Sequence, residues 1–262
     1  MAVHVVFASG QADRGVSGGL RAMGGAVELH DEVRVDLRER GAGQQTLDRR
    51  LFMQLQVFTG CSETKPLIEA LEAGHLEAVL YLDISDPKGV GVLAMSEDPT
   101  FFVTRLRDLL GLPPFATLTR RPEFAMLGRT YASGFEADLE EYLLRRPRRV
   151  ARKPDWPWAV WYPLRRTGAF SRLSPKDQGA ILREHATIGR AYGEAGLTQD
   201  IRLACNGLDV NDNDFVIGLI GPDLYPLSHL VHAMRRSIQT SEYIEKLGPF
   251  FVGRACWQSP AE

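Results

Sequence analysis

What most limits the folds open to this chain is the succession of its periodic segments, which runs through one order twice. In the C-terminal half, WAVWYPL (158–164) is short, aromatic and β-branched, as a strand is. SPKDQGAILREHATIGRAYG (174–193) follows with helix punctuation: Ser174 to cap, Pro175 at the first helical position, Asp177 in the first turn and Gly193 to stop it. DIRLACN (200–206) alternates, and DFVIGLI (214–220) is an apolar run bounded by NDN and GPD, so both read as strands. YPLSHLVHAMRR (225–236) sets Leu227, Leu230, Val231 and Met234 at helical spacing, and PFFVGRACW (249–257) closes as a strand.

The N-terminal half repeats that order without repeating the residues. RLFMQLQVF (50–58) alternates as a strand, KPLIEALEAGH (65–75) is a short helix, and EAVLYLDI (77–84) with GVGVLAMS (89–96) reads as a strand pair. DPTFFVTRLRDLLGL (98–112) is an amphipathic helix opened by Asp98 and Pro99, and a last strand falls within FAMLGRTYAS (124–133). Each half is thus β-α-β-β-α-β, the ferredoxin-like unit. The expected fold class is α+β: two tandem ferredoxin-like units, their sheets side by side or curled into one barrel. The expected division is an N-terminal half over 1–135, a linker over 136–157 and a C-terminal half over 158–262. Within 1–45 only VHVVFA is marked as a strand. ASGQADRGVSGG (8–19) is glycine-rich but lacks both GxGxxG spacing and a GK[ST] ending, so it reads as a surface loop.

Bulk properties narrow the partners. Net charge is −2, which argues against a protein whose main partner is nucleic acid. The three cysteines (Cys61, Cys205, Cys256) are far apart and odd in number, which points to neither a disulfide framework nor a zinc site and suits a reducing cytoplasm. No signal peptide and no apolar run of about 20 residues is evident, so a cytoplasmic protein with no membrane partner is expected.

One histidine stands out. The apolar stripe of the 174–193 helix runs Ile181, Leu182, His185, Ile188, Tyr192, placing His185 where a leucine would be expected. It is either a core histidine donating to a backbone carbonyl or a neutral imidazole that coordinates a metal in an apolar cavity. A lone histidine suits the axial position of haem better than zinc, which takes three or four protein ligands.

In order, REHATIGRAYG, NGLDVNDNDFVIGLI and HAMRRSIQTSEYIEKLGPFFVGR resemble the C-terminal half of the chlorite dismutase superfamily, with YASGFEADLEEY and DWPWAVWYPLRR extending the resemblance upstream. It covers residues 128–254 well, and the first half only as element order plus RRLFMQLQVF. The resemblance implies a dimeric α+β barrel of two ferredoxin-like units, a homo-oligomer (often a pentameric ring), and an iron porphyrin, either haem b or coproheme, as ligand. It makes His185 the axial iron ligand, with Glu242 and Gln239 as candidates to hold its other ring nitrogen. WYPLRR matches the segment of coproheme decarboxylases that carries a catalytic tyrosine and, four residues on, a lysine; here these are Tyr162 and Arg166. Arginine keeps the charge for a carboxylate but cannot readily give up a proton.

On the distal side, counting back from GLD puts Asp200 where chlorite dismutases have an arginine, with Gln199 one residue earlier. A one-residue shift reverses the face of a strand, and Arg202 shares a face with Asp200, so Gln199 or Arg202 is the expected pocket residue. HAMRR matches the segment whose arginine binds a porphyrin carboxylate, giving Arg235 as anchor with Thr240 assisting. The basic run RRPRRVARK (145–153) is expected to be a solvated linker, or to steer an anionic ligand. The resemblance implies a peroxide-dependent coproheme decarboxylase of haem b biosynthesis. The alternatives are a haem peroxidase or chlorite dismutase, taking hydrogen peroxide or chlorite, and a haem-binding or haem-delivering protein without turnover.

Overall fold

The alternation read in the strands has one geometric consequence: every strand presents one row of side chains inward and one outward. In a computed structural model of the chain, which describes residues 35–260, that alternation builds a closed ring of strands. Arg38–Glu262 forms one unit; of the separate unit Met1–Leu37 only 35–37 is described, so the expected strand at VHVVFA and the loop over 8–19 lie outside the described residues.

The first half comprises β1 (Phe52–Thr59), α1 (Lys65–Ala73), β2 (Ala78–Asp83), β3 (Val90–Ser96), the helical pieces α2 (Thr100–Val103) and α3 (Arg105–Leu110), and β4 (Met126–Arg129). After α4 (Arg146–Ala151), the second half has β5 (Trp158–Arg166), α5 (Pro175–Glu194), β6 (Gln199–Ala204), β7 (Phe215–Gly221), α6 (Leu224–Met234), α7 (Ile238–Tyr243) and β8 (Phe251–Gln258). The single helix expected over 98–112 is broken at Thr104, whose φ of −119° and ψ of −98° are not helical. Neighbours run β4-β1-β3-β2 in the first half and β8-β5-β7-β6 in the second. All these pairs are antiparallel, and the order is the ferredoxin-like one in both halves. The halves join where β2 meets β8, from Asp83↔Gly253 to Val79↔Gln258, and where β4 meets β6 at Arg129↔Ala204. The two seams close the eight strands into a barrel, as the element order allowed.

Inward-facing Met53, Leu55, Val79, Tyr81, Leu93, Trp161, Ile201, Leu203, Val216 and Phe251 share one buried core. Bulky rings fit because glycines face them. A Cβ on Gly218 would stand 2.5 Å from the Trp161 ring, and one on Gly91 the same distance from Phe251. The 136–157 segment differs from a solvated linker. A π-helical turn (Glu141–Arg145) leads into α4, and Leu143, Leu144, Val150 and Ala151 join the barrel core. Its basic residues are held: Arg148 Nε lies 2.9 Å and Arg152 Nη2 2.8 Å from Glu77 Oε1. The reason is amphipathicity, since apolar residues three to four apart give the segment a face to bury. Among the described residues no helix is long and apolar enough to cross a membrane.

Helices cover the outer faces. On β5, Ala159 and Trp161 face the barrel interior, whereas Val160, Tyr162 and Leu164 belong to a separate cluster with Leu219, Leu227 and Leu230, against which Ile188, Tyr192 and Met234 pack. Gly218→Ala should therefore cost about 1–3 kcal/mol by forcing a methyl against Trp161. Gly168→Ala, where none of the described residues comes within 4 Å of an added Cβ, should leave the urea midpoint within error of the parent.

Candidate functional site

The outer face of β5, β7 and β6 gathers most of the residues singled out in the sequence. Tyr162 is in register with Ile217, and Ile217 with Arg202, so the three form one row across three strands. Val160, Leu219 and Asp200 form the adjacent row. Gln199 has the parity of Ile201 and Leu203 and sits opposite Ile220, all core residues, so it belongs to the interior face and is not brought to the site. Of the two expected pocket residues, the one on this face is Arg202.

Helix α5 lies over this face. Ser174 caps it, accepting from Asp177 N at 3.2 Å, and Pro175 opens it. Antiparallel packing on α6 brings Gly189 against Met234 and His185 to the turn after α6, where Nδ1 lies 3.3 Å from Ser237 Oγ. That hydroxyl donates to Met234 O at 2.8 Å. With its one proton on Met234 O, it can accept from His185 Nδ1–H, the tautomer that leaves a lone pair on Nε2. Burial, aided by the cations Arg202 and Arg166, pushes the imidazole pKa down to about 4, so the ring is neutral at pH 7. The partner is therefore Ser237, not the expected Glu242 or Gln239. Glu242 is exposed, and Gln239 is buried with its Oε1 unpartnered. Nothing in RRSIQT distinguishes Ser237 from its neighbours, since the approach is made by helix packing. Thr240 Oγ1 lies 3.3 Å from the same hydroxyl, so Thr240 joins the Ser237 network.

Tyr162 is 7% exposed and stacks on Phe250, with centroids 4.7 Å apart at 29°. Burial raises its phenol pKa, with Asp200 adding to the shift and Arg235 opposing it, so it is protonated at neutral pH. Arg235 itself is exposed just beyond α6. The Arg166 guanidinium carbon sits 4.6 Å from the centroids of both Phe170 and Phe215. Among the described residues its buried Nε has no partner, and burial lowers its pKa without removing its charge. Arg202 is engaged: Nε lies 3.0 Å from Asp200 Oδ2, and Nη2 donates to Tyr142 Oη at 2.7 Å. Arg146 Nη2 reaches Asp200 Oδ1 at 3.1 Å. Burial acts to raise the Asp200 pKa, but Arg202 and Arg146 bring it below its ordinary value. Tyr142 and Arg146 come from the segment read as a linker, and no local signal in it marks them for this face.

One neutral imidazole with a free lone pair, opposite a face holding a protonated phenol and several arginines, can ligate a metal axially and bind an acidic ligand. Among the described residues no group of three or more His, Cys, Asp and Glu is placed to hold a metal ion, so His185 would be the single protein donor. A cavity of about 430 Å³ lies in the other half, lined by Cys61, Lys65, Leu82 and Lys88 among others. Beside Arg202, Tyr142 and Arg146 the enclosed space is only about 10 Å³, the size of one water.

The comparisons agree with this architecture. A protein-family model described as chlorite dismutase matches residues 101–256, and the chain belongs to that family. Among solved structures, a heme-binding protein from Thermus thermophilus is similar with a TM-score of 0.61 at 18% identity, over 80% of this chain and 92% of that one. The chlorite dismutase of Candidatus Nitrospira defluvii, solved with imidazole, gives 0.61 at 15% identity, over 78% and 90%. At such identities the likeness shows the fold. No curated protein matches the sequence.

Two outcomes follow from the site geometry. Ser237→Ala leaves the His185 Nδ1–H without its acceptor and should lower stability by about 1–2 kcal/mol in denaturant titration. Because the Asp200 pKa is lowered in the fold, its ion pairs stabilise the protein above the unfolded carboxyl pKa of about 3.9, and this is lost as pH falls through the lowered value. Asp200→Asn should flatten the acid limb of a melting-temperature profile against pH.

Proposed function

We propose that this chain is an iron-porphyrin-dependent oxidoreductase whose reaction is the peroxide-driven decarboxylation of coproheme to haem b. The observation that carries this reading is the neutral, Ser237-held imidazole of His185 facing the row that contains Tyr162, with Arg166 and Arg235 near by. The donor chemistry fits: an Nε2 lone pair for iron, and cations for carboxylates, one of them with an unpartnered buried Nε. Room must be made, because about 10 Å³ beside Arg202 does not hold a porphyrin.

When bound, the iron porphyrin supplies one-electron oxidation by peroxide. For each propionate the sum is one carboxylate, one peroxide and one proton giving a vinyl group, carbon dioxide and two waters. His185 would hold the iron through Nε2, with Ser237 fixing the ring. Tyr162, protonated at Oη, would be the residue to give up and regain a hydrogen atom. Arg166 would hold that carboxylate between the Phe170 and Phe215 rings, and Arg235 another at the rim. As arginine does not release its proton, the proton consumed must come by another route, such as solvent.

Incubation with iron coproporphyrin and hydrogen peroxide should release two carbon dioxide molecules per porphyrin. Oxygen released from chlorite instead would place the activity with the chlorite dismutases. Tyr162→Phe should retain the Soret band and lose about 100-fold or more in decarboxylation rate. His185→Ala should lose the Soret spectrum of the parent, and an unchanged band would overturn the ligand assignment. A second reading, haem binding without turnover, is favoured by the likeness to the Thermus heme-binding protein, and a reversible haem spectrum without product would support it.

A further inference from the structure

Helix α5 is the longest helix of the second half and, for its length, the least anchored. Of its 20 residues only Ile181 is buried, whereas the nine residues of α1 include buried Leu67 and Leu71 and the eleven of α6 include buried Leu227 and Leu230. Leu182 is exposed, and Ile188 and Tyr192 are half-buried against the cluster on the outer face. Its polar holds lead to α6 and the turn into α7: His185 Nδ1 to Ser237 Oγ at 3.3 Å, Glu184 Oε2 accepting from Ile238 N at 3.1 Å, and Tyr192 Oη to His229 Nδ1. Among the described residues no side chain of α5 hydrogen-bonds to a strand. An element with so few buried apolar contacts separates from its fold at less cost than the whole domain unfolds.

Both ends of α5 suit a hinge. Ser174 is extended, with φ −60° and ψ 151°, and Gly196 beyond the C-terminus has a φ of +68°, with none of the described residues within 4 Å of an added Cβ. Such end positions can absorb a change of backbone angles. The closed arrangement also leaves polar atoms orphaned around the helix. Gln239 Oε1, in the helix α7 that packs on α5, and Arg166 Nε, close enough to act on the His185 ring, are buried and unpartnered among the described residues. Each is a cost that a form open to water relieves. We propose that α5 is a lid: it swings from the sheet about Ser174 and Gly196 as one body while the barrel stays folded, uncovering the outer face of β5 and β6. The motion belongs to the ligand-free chain. Its use as the way in to His185 rests on the proposed function.

The full-length, ligand-free protein carries its own reference thiol, since Cys205 is 0% exposed in the barrel core and is reached only when the barrel opens. Ile181→Cys and Ile188→Cys, made separately, each place a small apolar thiol on the covered side of α5, two turns apart. Iodoacetamide labelling is followed residue by residue by mass spectrometry without denaturant, where the rate tracks the population of the open form. Both introduced thiols should label at least about 100-fold faster than Cys205, and within about threefold of each other. Labelling in step with Cys205 would show that only global unfolding frees the helix, and would overturn the lid. Fast labelling from Ile181→Cys alone would mean fraying of one end, and would overturn it too. Should Ile181→Cys not fold, Ile188→Cys against Cys205 decides by the first criterion. A parent that labels as expected but gives no haem spectrum would sink the proposed function and leave the lid standing.

Discussion

Closure of the strand ring is the constraint on which the rest of the molecule depends. An open sheet of this size would expose two edges of unpaired backbone donors and acceptors. Here the β2–β8 and β4–β6 seams pair them off, and closure divides every strand into an inward and an outward row. The inward row is filled by rings and aliphatics matched to glycines at Gly91 and Gly218. The polar residues singled out in the sequence lie mostly on the outer face, between sheet and helices.

On that face the strand register sets the alignment. Tyr162, Ile217 and Arg202 lie in one row because β5 and β6 both pair with β7, so a residue on either side of the row can address one bound molecule. Helix packing supplies the opposite wall. The turn between α6 and α7 carries Ser237 to His185, and a hydroxyl donating to Met234 O can accept from the imidazole Nδ1–H. Burial then keeps the ring neutral, which is the state a metal ligand requires.

The cations on this face differ in how far they are committed. Arg166 is stacked between Phe170 and Phe215 with an unpartnered Nε, whereas Arg202 is shared by Asp200 and Tyr142.

By itself the sequence determined the succession of elements, the capping of α5 by Ser174 and the shared face of Asp200 and Arg202. These follow from spacing along a single segment, which helix and strand periods make legible. It did not determine the partner of His185, because Ser237 reaches it across 52 residues by the packing of one helix on another. Nor did it show that the basic run after Glu140 is folded onto the barrel with Arg148 and Arg152 on Glu77, or that Tyr142 and Arg146 reach Arg202 and Asp200. The choice between Gln199 and Arg202 turned on register, which is set by the neighbouring strand β7 and not by β6. Contacts between distant segments are fixed only when the ring closes, and that is why the tertiary structure alone decided them.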